Sequence, residues 1–250
     1  MIRLYALFLY FLSLTIVQAS DTIVGGLSSK NIDINTTFTG SDILIFGSIK
    51  RKNDGEIVKS DIIIEVLGPK VNLTVRKKKK MFGIWINSNP IKIYDSPSFY
   101  TLIYTKKPSE ILTEQEQKHF KIGTKKFFKS SDSEIDYVDA VNAKIRIRRK
   151  SGSYVFNSNS INLKDETLFS ARVSLPANLN EGDYETKMYL VQNKKIINYS
   201  TDIIKVRKIG LEKWLYKTAH NQPLFYGLFS IFLALFFGWS ASTLFRRFQK

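Results

Sequence analysis

Hydrophobic and polar positions alternate along most of the chain between residues 21 and 206, in short runs separated by turn-forming residues. Val71, Leu73 and Val75 alternate with polar neighbours, which is typical of a strand with one buried face. Residues 43–49 and 62–66 form nearly continuous β-branched and aromatic runs, which predict strands buried on both faces. Short strands at intervals of about ten residues indicate a β-sandwich.

The same pattern predicts further strands at 31–38, 84–86, 91–93, 99–104, 154–163, 168–175, 184–191 and 196–206. Gly68-Pro69 ends one strand with turn chemistry, and Asn87 with Asn89-Pro90 predicts another turn. The basic run Arg76–Lys80 lies between two strands, and we interpret it as a solvated hairpin tip or as a contact to a membrane surface or an anion.

Residues from about 108 to 150 differ from the rest and are predicted to form a helical insertion. Thr113-Glu114-Gln115-Glu116 is a capping-box pattern, which predicts a short helix to Phe120 that ends near Gly123. A second helix is predicted from Ser133 to Lys150, because its apolar residues recur every three or four positions: Ile135, Val138, Val141 and Ile145. The end of this segment, Arg146-Ile147-Arg148-Arg149, also alternates as a strand would.

The segment from Leu175 to Tyr184 resembles the loop and strand entry of immunoglobulin-like domains. In those domains, a Gly-x-Tyr turn such as Gly182-Asp183-Tyr184 places a tyrosine whose hydroxyl group returns to the backbone. The predicted fold class is therefore mainly β, with an immunoglobulin-like β-sandwich ectodomain, a helical insertion and one C-terminal transmembrane helix.

Residues 224–245 contain no charged side chain, and the 22 positions reach about 33 Å as a helix, which is enough to cross a bilayer. We assign the transmembrane helix to residues 222–245 and an interfacial helix to residues 209–221. Residues 246–250, with Arg246, Arg247 and Lys250, form a predicted cytoplasmic stub.

Small residues recur every four positions along one face of the predicted transmembrane helix, at Ser230, Ala234, Gly238 and Ser242. Small residues let two helix backbones approach closely in lipid, so this stripe is a candidate packing surface for a partner helix or a second copy. The phenylalanines on the opposite face, Phe225, Phe229, Phe232 and Phe236, are expected to face lipid.

The N-terminus carries Arg3, then an apolar run from Leu4 to Val17, and small residues before a cleavage point after Ala19. This pattern predicts a signal peptide at residues 1–19, with a retained anchor as the alternative. Export of residues 20–208 and the C-terminal span place the predicted ectodomain in the periplasm and the chain in a bacterial inner membrane. The absence of cysteine suits a bacterial periplasmic domain.

The net charge of +16 favours anionic lipids or envelope polyanions as partners, because an exported domain rarely meets nucleic acid. His119 and His220 have no partner at metal-ligand spacing, and we find no nucleophile motif or phosphate-binding loop. We predict no catalytic site, no cofactor and no metal. The candidate ligand or partner surface is a polar and aromatic group of four residues: Trp85, Asn87, Ser98 and Tyr100.

Three groups of short motifs carry a family resemblance. They are Phe38–Asp42 with Phe46-Gly47, the segment Met81–Asn87 with Pro97–Tyr100, and the tail motifs Arg207–Glu212, Ala219-His220 and Pro223–Gly227. In this order they resemble the alphaproteobacterial putative transmembrane protein family (Alph_Pro_TM). The family is uncharacterised, so the resemblance implies no activity or catalytic residues. It implies an association with sulfite-exporter-like membrane proteins.

We therefore expect a non-enzymatic, single-pass accessory subunit of a membrane complex, with an anion transporter as one partner class. The partner would bind the transmembrane helix, which also leaves a homo-oligomer open. The alternative is a membrane-tethered periplasmic module that binds a polyanionic or small ligand through its basic surface.

Overall fold

The computed structural model describes residues 21–52, 58–123, 127, 135–158 and 160–248. The predicted signal peptide lies outside these residues. The strands are β1 Thr22–Leu27, β2 Asn31–Ile34, β3 Gly40–Lys50, β4 Asp61–Leu67, β5 Lys70–Met81, β6 Ile84–Pro97, β7 Tyr100–Tyr104, β8 Tyr154–Ser158, β9 Ile161–Lys164, β10 Leu168–Pro176, β11 Gly182–Gln192 and β12 Lys195–Lys208. The helices are α1 Pro108–Ile111, α2 Glu114–His119, α3 Ile135–Lys150, α4 Leu211–Asn221 and α5 Pro223–Phe248.

The strands form two sheets and one hairpin, and an apolar helix follows them at the C-terminus. The predicted mainly β class with a C-terminal apolar helix is therefore confirmed. Sheet A has the order β1-β3-β10-β9 and is antiparallel throughout. Sheet B has the order β2-β12-β11-β4-β7-β8, in which β2 runs parallel to β12 and β7 runs parallel to β8. One hydrophobic cluster joins the two sheets, with Ile43, Ile45 and Val173 from sheet A and Ile64, Met188 and Ile204 from sheet B.

The two strands predicted to be buried on both faces behave differently. In β4 every residue from Ile62 to Val66 is buried, because sheet A covers one face of sheet B and the helices cover the other. In β3 the prediction was wrong, since Leu44 and Phe46 are exposed while their neighbours Ile43 and Ile45 are buried. Nothing among the described residues buries the outer face of sheet A at these two positions, so β3 alternates.

The β5–β6 hairpin continues the pairing of β4 with β7. Leu67 pairs with Tyr100 at the end of sheet B, and Lys70 pairs with Pro97 directly beyond it. The ladder then runs, with two register shifts, to Met81 paired with Ile84. β5 has twelve residues, which extend about 40 Å at about 3.3 Å per residue.

Two predictions about this hairpin were wrong. The segments 84–86 and 91–93 belong to one strand, so the turn predicted at Asn89-Pro90 is absent; Pro90 lies at a register shift opposite Arg76. Proline is tolerated there because a register shift removes the need for a regular ladder hydrogen bond. The chain reverses at Phe82-Gly83, so the basic run Arg76–Lys80 lies within β5, beside the tip.

A second hydrophobic cluster lies on the outer face of sheet B, under α1, α2, α3 and the base of the hairpin. In α3 the buried residues are Ala140, Val141 and Lys144, whereas Ile135 and Val138 are exposed. The predicted helix is therefore confirmed over its described residues, but its predicted apolar face is wrong at those two positions. The alternative strand at 146–149 is also excluded, because the helix continues to Lys150.

The predicted strand 154–163 divides into two strands in different sheets. β8 pairs with β7 in sheet B, and β9 pairs with β10 in sheet A. The chain changes sheets between them, which a continuous alternation of apolar and polar residues does not signal.

The C-terminal helices pack on each other through aromatic rings. The indole ring of Trp214 in α4 meets the ring of Phe229 in α5 edge to face, with centroids 6.4 Å apart. Phe229 belongs to the face that we expected to contact lipid, so α4 covers part of that face and leaves the opposite face of α5 uncovered.

Candidate functional site

The tip of the β5–β6 hairpin carries a concentration of exposed apolar side chains. We define the hairpin tip as residues 81–86; the side chain of Phe82 is fully exposed and that of Trp85 is 66% exposed. Met81, Ile84 and Ile86 are exposed beside them. A concentration of exposed apolar side chains at the end of a projecting element is typical of a binding surface.

The structure does not bring the four predicted surface residues together. Trp85 and Asn87 lie near the hairpin tip, where they pair with Lys80 and Lys78 on β5. Ser98 and Tyr100 are buried at the base of the hairpin, more than ten residues of strand away. Trp85 is thus part of an exposed surface, whereas Tyr100 is part of the core of sheet B.

A cleft of about 940 Å³ lies at the base of the hairpin, on the outer face of sheet B. Its walls come from β4, β6, β11, the end of α2 and Lys144 of α3. The polar groups that matter for its chemistry are Glu65, Ser96, Lys144 and Tyr189.

A chain of hydrogen bonds starts at Lys144 in this cleft. The ammonium group of Lys144 donates to Ser96 Oγ at 3.0 Å, and the Tyr154 hydroxyl donates to the Pro97 carbonyl oxygen at 2.7 Å. Since the single proton of Tyr154 is used in that bond, the contact of 3.4 Å between Ser96 Oγ and Tyr154 Oη has Ser96 as its donor. Lys144 therefore donates to Ser96, Ser96 donates to Tyr154, and Tyr154 donates to the backbone carbonyl group of Pro97.

Lys144 is 4% exposed, and aromatic rings surround its ammonium group. Its Nζ atom lies 4.5 Å from the centre of the Phe127 ring and 5.9 Å from that of Tyr154. The rings attract the cation, but burial lowers the pKa of Lys144 to about 8, with a smaller contribution from the positive charge of Arg148.

A second polar group lies beside the first, around Glu65 of β4. The Tyr100 hydroxyl donates to Glu65 Oε1 at 2.5 Å and accepts a hydrogen bond from the backbone N–H of Gly123 at 3.2 Å. Burial, and next the charge of Glu65, raise the pKa of Tyr100; the same two causes raise the pKa of Tyr189. Both tyrosines therefore remain protonated donors around a buried carboxylate.

A lysine with a lowered pKa at 3.0 Å from a serine hydroxyl is the arrangement that activates serine in Ser–Lys hydrolases. Two observations argue against that chemistry here. Ser96 is only 3% exposed, and its hydroxyl already accepts from Lys144 and donates to Tyr154. The arrangement is better suited to holding a buried positive charge in a fixed position.

Sequence reasoning missed Lys144. Its only signal in the sequence is its position three residues after Val141, which places it on the apolar side of the predicted helix. We identified that side from its hydrophobic residues alone. Lysine is rarely buried, so the pattern alone favours a solvated side chain.

The stripe of small residues on α5 is exposed along its whole length, and a Cβ atom added at Gly238 would meet no atom of the chain. Ser230 Oγ donates to the Tyr226 carbonyl oxygen at 2.8 Å within the helix, so its hydroxyl is satisfied without a partner helix. Across the described residues, no group of three His, Asp or Glu side chains could hold a metal ion.

Comparison with known proteins identifies the chain at the level of a family. No curated protein and no solved structure matches it. The segment Pro223–Phe245 has a mean hydropathy of 1.8, is long and apolar enough to cross a membrane, and is not buried by the rest of the chain. The model of one family, described as "Putative transmembrane protein (Alph_Pro_TM)", matches residues 22–247, which include both sheets, the hairpin and the apolar helix up to residue 247, and the protein belongs to that family.

Proposed function

We propose that this protein is a non-enzymatic accessory subunit of a membrane complex, anchored in a bacterial inner membrane with its ectodomain in the periplasm. One observation carries the proposal: α5 has one aromatic face partly covered by α4, and its small-residue face is uncovered. In lipid, a face of Ser, Ala and Gly favours close packing with another helix. The family resemblance implies a sulfite-exporter-like anion transporter as the partner.

The proposal is tested by crosslinking the full-length protein in its own membranes and purifying it. The test variant is Ala234→Leu with Gly238→Leu, which adds bulk to the small-residue face. The matched control is Phe232→Leu with Phe236→Leu, which places two leucines on the opposite face. We expect one membrane protein in stoichiometric amount with the wild type and the control, and its loss with the test variant.

Capture of no stoichiometric partner by the wild type would refute the accessory role. A crosslinked product that contains only this chain, and that the test variant loses, would replace it with a homo-oligomer. Retention of the partner by the test variant would show that α5 is a tether and that the ectodomain makes the contact.

The proposed ectodomain is an immunoglobulin-like sandwich. The order β1-β3-β10-β9 corresponds to the A-B-E-D sheet of that fold, and the order β12-β11-β4-β7 in sheet B corresponds to G-F-C-C′. The Tyr184 hydroxyl donates to the Asn180 carbonyl oxygen at 2.9 Å, which is the backbone contact expected of the tyrosine at the start of the F strand. Contacts between backbone amides, measured by NMR, that gave another strand order would contradict this assignment.

The outer cleft supports a second candidate function, a tethered module that binds a small anion. The supporting observation is the buried ammonium group of Lys144, which no described carboxylate approaches within salt-bridge distance. Titration of the full-length protein with sulfate and inorganic phosphate, followed by calorimetry, tests it. We expect saturable binding that weakens with salt and is lost in Lys144→Met.

The absence of catalysis is tested separately with a fluorophosphonate probe, which labels activated serines. We expect no labelling of Ser96, because its hydroxyl is buried and engaged in two hydrogen bonds. Labelling that disappears in both Ser96→Ala and Lys144→Met would show an activated nucleophile and refute the non-enzymatic proposal.

A further inference from the structure

We infer that the hairpin tip inserts into the headgroup region of the bilayer that holds α5, and that the basic run of β5 binds anionic phospholipids there. This is a second membrane contact, made by the ectodomain, and it is independent of any partner of α5. Four features of the structure support it.

The first feature is the turn at the end of the hairpin. Phe82 has φ of 49° and Gly83 has φ of 84°, so both central residues have positive φ angles, as in a type I′ turn. Asparagine or aspartate is favoured before the glycine of such turns, because a bulky side chain is strained there. A fully exposed phenylalanine at this position stabilises neither the turn nor the core, which indicates a role in binding.

The second feature is the chemistry of the tip. Phe82, Ile84 and Trp85 are each exposed, and Trp85 has an indole ring, which favours the boundary between headgroups and acyl chains. A bilayer interface can accept aromatic and aliphatic side chains from a tip of this shape without a preformed pocket.

The third feature is the placement of charge. Lys79 pairs across the hairpin with Ile86, and Lys80 pairs with Trp85, so cations lie directly behind the apolar tip. Lys77 contacts Asp139 at 3.6 Å with both side chains exposed, and among the described residues no other acid pairs with the run Arg76–Lys80. Unpaired cations at the depth of the headgroups would gain attraction from anionic lipids.

The fourth feature is the position of the hairpin relative to the membrane anchor. β4 and β12 are both antiparallel to β11, so they run in the same direction and end at the same edge of sheet B. The hairpin follows β4 beyond this edge, and α4 and α5 follow β12 beyond it. Pro69 at the base of the hairpin lies against Gly182, which pairs with Val206 near the end of β12. The hairpin therefore leaves the ectodomain on the side of the anchor.

These features favour a lipid surface over a protein as the binding partner of the hairpin tip and the basic run. A protein interface would need complementary acidic groups of fixed geometry, whereas five consecutive basic residues on an extended strand suit a diffuse anionic surface. The exposed phenylalanine and tryptophan at the end of that strand suit the same surface.

The experiment uses the full-length protein in nanodiscs that contain phosphatidylglycerol with acyl chains brominated near the headgroup. Trp214→Phe and Trp239→Phe leave Trp85 as the single tryptophan, and its fluorescence reports contact with bromine. We expect Trp85 to be quenched, with quenching reduced by at least about half in about 1 M salt and in the variant Lys78→Ser, Lys79→Ser, Lys80→Ser.

The control places a tryptophan at the opposite end of the sandwich. In a chain with Trp85→Phe, Trp214→Phe and Trp239→Phe, the substitution Leu168→Trp introduces an exposed indole on β10, eight residues before Pro176 at the anchor-side end of that strand. We expect no quenching of this residue. The substitutions of Trp85, Leu168 and Lys78–Lys80 should leave thermal unfolding unchanged, since these side chains are exposed.

Three results would overturn the inference. One is an unquenched Trp85 that remains accessible to acrylamide in anionic nanodiscs. Another is equal quenching of Trp85 and of the Leu168→Trp control, which would show contact without specificity for the tip. The third is crosslinking of a photoreactive residue at position 82 to a protein rather than to lipid.

Discussion

The ammonium nitrogen of Lys144 lies 3.0 Å from the hydroxyl oxygen of Ser96, in the core between α3 and the base of the hairpin. This contact joins the helical insertion to the strand that leads to the tip. Because both side chains are almost fully buried, water stabilises the charge of Lys144 only weakly.

The first prediction concerns the pH dependence that follows from this burial. Lys144 has a pKa of about 8 in the folded chain and an ordinary pKa of 10.5, so the unfolded chain binds more protons between these values. The free energy of unfolding of the wild type should therefore rise with pH in this window. Relative to Lys144→Met, we expect a gain of about 2 kcal/mol between about pH 7 and about pH 10.

Urea unfolding of the full-length protein in micelles, followed by near-ultraviolet circular dichroism, measures this difference. Subtraction of the Lys144→Met curve removes the contributions of the other titrating groups. The exposed Lys150 of the same helix provides the control, because Lys150→Met should keep the pH profile of the wild type. Parallel profiles for wild type and Lys144→Met would show that Lys144 does not titrate as a buried group.

The second prediction concerns the hydrogen bond from Tyr100 to Glu65. Tyr100→Phe removes a donor from a buried carboxylate, and we expect a loss of about 2 kcal/mol in the free energy of unfolding. Tyr94→Phe, at an exposed tyrosine of β6, should change it by less than about 0.5 kcal/mol. Equal effects of the two substitutions would contradict the assignment.

A double-mutant cycle with Glu65→Gln separates the pair from its surroundings. We expect a coupling energy of at least about 1 kcal/mol between positions 65 and 100, because the two side chains share one short hydrogen bond. If the effects of the two substitutions on the free energy of unfolding were additive, the loss of burial and not the loss of the hydrogen bond would determine how much each substitution destabilises the fold.

Local signals in the sequence predicted much of the fold. Alternation located β5, β10, β11 and β12, and the Thr113 hydroxyl oxygen accepts a hydrogen bond from the Glu116 N–H at 3.2 Å, as the capping pattern predicts. The hydroxyl of Tyr184 reaches the backbone as expected. These features depend on residues that are close in the chain, which is why a single sequence is enough to find them.

The errors arise where distant residues decide the outcome. Whether a strand such as β3 is buried on one face or two depends on what covers its sheet, and its composition carries no sign of that. Neither does composition show that β6 continues through Pro90 because its partner strand shifts register there. The burial of Lys144 depends on Ser96, which lies 48 positions away in the sequence, and on Phe127, which lies outside α3.

The third prediction concerns Glu116, whose role the capping pattern also mispredicts. Its side chain accepts a hydrogen bond from the backbone N–H of Ile196 at 3.1 Å, and so fixes α2 to the start of β12 instead of closing the capping box. Glu116→Ala should cost about 1 kcal/mol and increase hydrogen exchange at the Ile196 amide. Glu114→Ala, at an exposed position of the same turn, should leave that amide protected, and equal exchange in both variants would refute the contact.

The last prediction concerns close packing within sheet A, where Gly25 pairs with Gly47. A Cβ atom at Gly47 would collide with the Val24 carbonyl oxygen and lie 2.6 Å from the Phe169 ring. Gly47→Ala should therefore lower the free energy of unfolding by at least about 3 kcal/mol. At the neighbouring Gly26, an added Cβ lies 3.5 Å from the Phe46 ring, an ordinary contact, so Gly26→Ala should be neutral or stabilising by up to about 1 kcal/mol. Similar unfolding curves for the two variants would mean that the strands separate at Gly47 without cost, which would contradict the pairing of β3 with its neighbours β1 and β10.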